Sequence, residues 1–150
     1  MPPDRAGRRQ AASSARGALA GIAAAAVWAG AEPLLGRLFR TPYSDRRLLA
    51  GLTGGSPAAA LAFHLGNGAM FGACFQRLGG HGPLQGALAA EVENVAFWPA
   101  MAVVDRIHPD RRSGAWPPLL RNGRVFAYEV AAHALFGAVL GLLLPQDPGE

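Results

Sequence analysis

Four long apolar runs, separated by short polar segments rich in arginine, dominate the pattern of this chain. They cover residues 17–38, 57–75, 83–104 and 125–144. Each is close to the roughly 20 residues that a helix needs to cross the hydrocarbon core of a bilayer. No stretch alternates polar and apolar residues with a period of two, and the abundant Ala and Gly are poor strand formers. The pattern predicts an all-α fold, a four-helix transmembrane bundle. Pro57 and Pro83 suit helix starts, Pro145 suits a stop, and Pro33 predicts a kink. Residues 1–16, with Arg5, Arg8, Arg9 and Arg16, read as a disordered tail. Residues 17–145 form the membrane domain and 146–150 a short acidic tail.

The two halves resemble each other. Gly17-Ala18-Leu19-Ala20 recurs as Gly86-Ala87-Leu88-Ala89, and in the same ungapped frame His64, Gly68 and Gly72 fall on His133, Gly137 and Gly141. This predicts two tandem, parallel helical-hairpin repeats, 17–80 and 86–145. Both long loops then lie on one side of the membrane with nine arginines. The other side holds five, four of them in the N-terminal tail. The positive-inside rule puts the loops in the cytoplasm, although the basic tail pulls the other way. A competing reading of the first run is a signal peptide, with Arg8-Arg9 ahead of it and Ala29-Gly30-Ala31 as an A-x-A site. The repeat pairs this run with the third one and favours a retained helix.

Composition sharpens the membrane reading. Hydrophobic residues make up 51% and charged residues only 16%, against roughly 25% in a typical soluble domain. All basic residues are arginine. A sequence pI near 10.5 raises the question of nucleic acid, but the arginines sit between apolar runs and not along one amphipathic face. No nucleic-acid partner is expected. A positive rim facing anionic lipid accounts for them, with Arg46-Arg47 and Arg111-Arg112 as headgroup candidates. Trp116, beside Pro117-Pro118, suits an interfacial anchor, and Asp105-Arg106 suits an interfacial pair. Cys74, the single cysteine, excludes an internal disulfide and reads as a small core residue.

The polar residues inside the runs are His64, Asn67, Glu91, Glu93, Asn94, Glu129 and His133. The third run bears the heaviest load. A central acidic residue opposes insertion by about 2.5–3.5 kcal/mol and each Leu, Val or Phe returns only about 0.3–0.6 kcal/mol. That helix needs partners, protonated carboxyls or a water-filled cavity. The pattern H-x-x-x-G-x-x-x-G occurs twice, and spacing by four puts each set on one stripe. Gly68, Gly72, Gly137 and Gly141 are therefore helix-packing candidates that bring the second and fourth helices together near a pseudo-twofold axis, with both His at equal depth. Glu129 shares a face with His133. Glu91, Asn94 and Trp98 share another, and Glu93 points elsewhere. His64, His133 and Glu129 are the only candidate metal ligands, without the Glu-x-x-His spacing of ferritin-like sites, and no cofactor is implied. G-x-S-x-G, P-loop, H-E-x-x-H and dinucleotide motifs are all lacking.

The stretches Trp28-Ala-Gly-Ala-Glu32-Pro33, Tyr43-Ser-Asp45, Glu93-Asn94-Val-Ala-Phe-Trp98-Pro99 and Asp105-Arg106-Ile-His108-Pro109 resemble those of small uncharacterised four-span integral membrane proteins of GC-rich bacteria. That resemblance implies a membrane topology and carries no activity and no site residue. The expected function is a non-enzymatic multi-pass plasma-membrane component that packs with itself or with a membrane-protein partner. A small proton- or ion-coupled transporter using the intramembrane Glu and His residues is the alternative, and a metal-dependent membrane enzyme the third reading.

Overall fold

The computed structural model describes the backbone of residues 5–144 and the side chains of residues 12–144. Every regular element among them is helical: α1 Arg5–Leu38, α2 Asp45–Leu52, α3 Pro57–Arg77, α4 Pro83–Phe97, α5 Met101–Ile107, α6 Pro109–Arg112 and α7 Gly123–Leu143. Four segments are long and apolar enough to cross a membrane: Ala12–Leu38, Pro57–Arg77, Pro83–Ile107 and Gly123–Leu143. Their outer faces carry exposed Leu19, Phe63, Met70, Leu84, Leu88 and Val92. Contiguous apolar surface on that scale is foreign to a water-soluble monomer and suits lipid. The fold is that of a multi-pass membrane protein.

Local chemistry sets the helix boundaries. Ser44, Ser56 and Asn122 cap α2, α3 and α7 by accepting backbone N–H bonds from Arg47, Ala59, and Arg124 with Val125. Pro57 and Pro83 occupy first-turn positions where a missing N–H is harmless. Two boundaries differ from the sequence expectation. Helix α1 begins at Arg5, inside the segment expected to be a tail, because Ala-rich sequence sustains a helix. The third span is not one continuous α-helix. Pro99 has no N–H to continue the ladder, so Trp98–Ala100 tighten into a 3-10 turn before α5. The expected acidic tail, 146–150, lies outside the described residues.

Glycine decides how the spans pair. A Cβ on Gly17 would collide with the carbonyl of Gly72, and one on Gly21 with that of Gly68. Likewise a Cβ on Gly86 would strike the Gly137 carbonyl, and one on Gly141 that of Gly82. Backbone therefore touches backbone between α1 and α3 and again between α4 and α7. The stripes Gly68-Gly72 and Gly137-Gly141 do not face each other, as the sequence reading expected. Each instead meets glycines of the preceding span, which α1 and α4 present at matching depth. The two pairs join through α1 and α7, so packing runs α3–α1–α7–α4. Helix α1 is central. Its buried stripe of Gly17, Ala20, Gly21, Ala24, Ala25, Trp28, Glu32 and Leu35 follows the spacing of one helix face. Among the described residues α3 and α4 barely touch.

The two long loops lock together over one end of this bundle. The Trp116 indole, fully buried, donates to the Pro42 carbonyl at 3.1 Å and stacks on His108 with centroids 4.5 Å apart. His108 meets the Leu48 carbonyl at 3.2 Å, and Arg47 pairs with Asp110 at 2.9 Å across the same junction. Trp116 is thus the keystone of the loop cap and not an anchor in the lipid interface. Asp105 does not pair with Arg106. It binds Arg111 at 2.7 Å and the backbone N–H groups of Leu119 and Leu120, which pins the second loop. Cys74 is exposed, not a core residue.

Two outcomes follow from this packing. Gly68→Val should lower stability by about 1–3 kcal/mol through overpacking, whereas Gly30→Ala, with open space around it, should be neutral or stabilising. Equal melting temperatures for the two variants in detergent would contradict the glycine contact. Trp116→Ala should destabilise by about 3–5 kcal/mol, and Asp110→Ala, which breaks an exposed ion pair, by less than about 1 kcal/mol. Reversible unfolding of both variants measures the contrast.

Candidate functional site

Because α3 and α4 stand apart, a cavity of about 410 Å³ opens between them, floored by α1 and α7. Every spanning helix contributes polar or aromatic groups: Trp28 from α1, His64 and Asn67 from α3, Glu93 and Asn94 from α4, Glu129 and His133 from α7. Asp45, at the start of α2, reaches in from the loop cap.

Trp28 divides the site. Its ring lies 5.0 Å from His64 and 4.7 Å from His133, edge-on to both. The two imidazoles thus flank one indole at the cavity floor. On one side His64 Nδ1 lies 3.0 Å from Asp45 Oδ2 and Nε2 lies 3.1 Å from the Ala25 carbonyl. A carbonyl only accepts, so Nε2 carries a hydrogen and donates it. The remaining proton is shared along the Nδ1–Oδ2 bond. It makes either an imidazolium–carboxylate pair or a neutral imidazole with a carboxylic acid. On the other side His133 Nδ1 donates to the Glu129 carbonyl at 2.9 Å and lies 3.3 Å from Glu129 Oε2.

Behind the floor, Trp28 Nε1, Tyr43 Oη, Tyr128 Oη and Glu129 Oε1 are buried and make no hydrogen bond. The Tyr43 hydroxyl faces the Glu129 carboxylate, and Tyr128 faces Trp28, beyond bonding geometry. Burial pushes the Tyr43 phenol well above its ordinary range, and the Glu129 and Asp45 carboxylates push the same way. It stays a protonated donor at neutral pH.

The sequence candidates separate into two groups. His64, Asn67, Glu93, Asn94, Glu129 and His133 line one cavity, while Glu91 does not and instead accepts from Asn94 Nδ2 at 3.2 Å. Glu129 and His133 pair as their shared face implies. Among the described residues no three His, Cys, Asp or Glu side chains are arranged to hold a metal ion, so His64, His133 and Glu129 do not form a ligand set. Three of the four arginines expected at lipid headgroups also pair with carboxylates, and Arg46 and Arg47 stay exposed while doing so. Arg46 binds Glu32 at 2.7 Å, Arg47 binds Asp110 and Arg111 binds Asp105, while Arg112 remains exposed. Glu32 takes three donors, from Ser44 and from the side chain and backbone of Arg46, and so staples the start of α2 to α1. Sequence reasoning missed Asp45 as a site residue. It lies outside the apolar runs, and only the Glu32 staple brings it over His64.

Comparison with protein-family models, with characterised proteins and with solved structures finds no match.

The Asp45–His64 bond should be coupled energetically. Asp45→Asn and His64→Ala each lose a charge-assisted hydrogen bond of about 1.5–3 kcal/mol. The double variant should lose at least about 1 kcal/mol less than the sum of the two. Strict additivity in a double-mutant cycle would remove the bond from this account.

Proposed function

We propose that this chain is a bacterial plasma-membrane protein that binds a small ligand in the α3–α4 cavity and exchanges protons there, as a proton-coupled transporter or its ligand-binding component. One observation carries the reading: the Asp45–His64 and Glu129–His133 pairs both face a single cavity framed by four membrane-length helices. Ionisable groups at membrane depth are costly and sit where they face a bundle interior or a water-filled space. Imidazole and carboxylate in contact can pass a proton between them near neutral pH.

The tandem-hairpin repeat belongs to the same proposal. Gly21 against Gly68, and Gly86 against Gly137, support two like hairpins. Their first helices correspond with an offset of one turn from the sequence match, since Gly21 and not Gly17 plays the part of Gly86. The two imidazoles then hold corresponding positions in the two hairpins, while their carboxylates come from different places, Asp45 from α2 and Glu129 from α7 itself. The orientation expected from the arginines, with both long loops in the cytoplasm, carries over unchanged.

A second reading, as an accessory or self-associating component, draws on α4. The third span is the least buried of the four, although it holds Glu91 and Glu93, and a neighbouring helix would cover it. Lipid-phase cross-linking through a cysteine at Val92 tests that reading.

Proton movement separates the two. Vesicles containing the protein and a pH-sensitive dye should show ligand-dependent proton flux under a pH gradient. Glu129→Gln and His133→Ala should each reduce it by about tenfold or more, the range that loss of a positioned proton carrier commonly brings. Flux that both variants leave unchanged would refute the proton role of this pair.

A further inference from the structure

We infer that the ligand of the α3–α4 cavity is a monovalent organic cation with an apolar, preferably aromatic, body. This rests on the ligand-binding reading above and adds the substrate class.

Charge gives the sign. The cavity is lined by three carboxylates, Asp45, Glu93 and Glu129, and by two imidazoles, His64 and His133; among the described residues no arginine lines it. The nearest arginines are committed elsewhere, Arg46 to Glu32 and Arg47 to Asp110. Even with both imidazoles protonated, three ionised carboxylates leave a negative charge over. In a low-dielectric setting that charge is neutralised either by a proton or by a cation. An anion has no fixed positive group to meet.

Shape and surface give the body. A space of about 410 Å³ lies within the range of small-molecule pockets, roughly 300–1,000 Å³, and is far too large for a bare ion. Its walls include Trp28, Phe71, Phe97, Trp98 and Phe136. Aromatic faces attract a desolvated organic cation and also cover its apolar surface. A strongly hydrated inorganic ion would need several converging oxygen or nitrogen ligands, and the described residues provide no such set.

A second observation marks where the charge goes. Glu129 is only 3% exposed and lines the cavity, with its Oε1 turned behind the floor towards the Tyr43 hydroxyl. Its other oxygen faces His133. Glu93 lines the cavity from α4 with no salt-bridge partner among the described residues, so the two can clasp one cation between α7 and α4. The titratable groups facing this place are Asp45 from α2, His64 from α3, Glu93 from α4, and Glu129 and His133 from α7. Tyr43 adds a hydroxyl beside Glu129, and α1 contributes the indole of Trp28. Proton and cation compete for the same carboxylates. When the cation enters, a proton leaves Glu93 or Glu129 for bulk water, and the reverse exchange releases the cation.

Calorimetric titration of the full chain in detergent with benzyltrimethylammonium tests this directly. That probe is permanently charged, so any proton released comes from the protein. Saturable binding is expected, tightening as pH rises, with release of up to about one proton, measured by repeating the titration in buffers of different ionisation enthalpy. Benzenesulfonate, similar in size and opposite in charge, should not bind. Glu93→Gln and Glu129→Gln should each weaken cation binding by about tenfold or more. Equal affinity for the sulfonate, or a cation affinity independent of pH, would overturn the inference using wild-type protein alone. Proton flux in vesicles without cation selectivity would also overturn it and leave the proton-coupling reading standing. Cation binding with proton release but no flux would uphold the substrate class and sink transport.

Discussion

Contact between bare backbones sets the architecture. At Gly17, Gly21, Gly68 and Gly72, and again at Gly86, Gly137 and Gly141, no room remains for a side chain. Hydrocarbon chains are as apolar as leucine, so helices in a bilayer gain little from burying apolar surface against each other. Close approach, with the dispersion contacts it permits, has to bind them instead. Two tight pairs result, and these meet along the Ala-rich face of α1 and the buried face of α7. The outer helices α3 and α4 are left apart. The cavity between them is thus a consequence of which helices carry glycine at which depth.

Electrostatics follows from that opening. A carboxylate or imidazole surrounded by lipid would be expelled or neutralised. Here the ionisable groups either gather at the cavity or are tied to partners at its rim. Glu32 accepts three hydrogen bonds and gathers the start of α2 against α1. That placement sets Asp45 over His64. The loop cap, locked by Trp116, His108 and the Arg47–Asp110 pair, holds the same end closed. Glu93 and Glu129 remain without a cationic partner of fixed charge, and the proposed ligand balances them.

The spans were legible in the sequence because membrane helices carry their signal locally, as length and hydropathy. The polar residues of the spans were legible for the same reason, since Glu129 or His64 stands out in an apolar run. What linear spacing did not reveal was direction. The stripes Gly68-Gly72 and Gly137-Gly141 announced close packing, but a stripe of small residues is indifferent to which helix it meets. The acidic partners of Arg46, Arg47 and Arg111, namely Glu32, Asp110 and Asp105, were not legible, because only tertiary folding brings them together. Asp45 was overlooked on the same account. Trp116 looked like an interfacial anchor for want of any sign that the two loops fold onto each other.

A water-accessible cavity between α3 and α4 within the membrane-crossing region should show itself in thiol accessibility in the bilayer. In a Cys74→Ser background, a cysteine replacing Asn67 lines the cavity, and one replacing Leu88 lies on the outer face of α4. A charged methanethiosulfonate reagent, which reacts with hydrated thiolate, should modify the protein carrying Asn67→Cys rapidly and spare the one carrying Leu88→Cys. Benzyltrimethylammonium should slow the first reaction. Two positions equally inert, or equally reactive, would mean that no distinct wet cavity separates the helices.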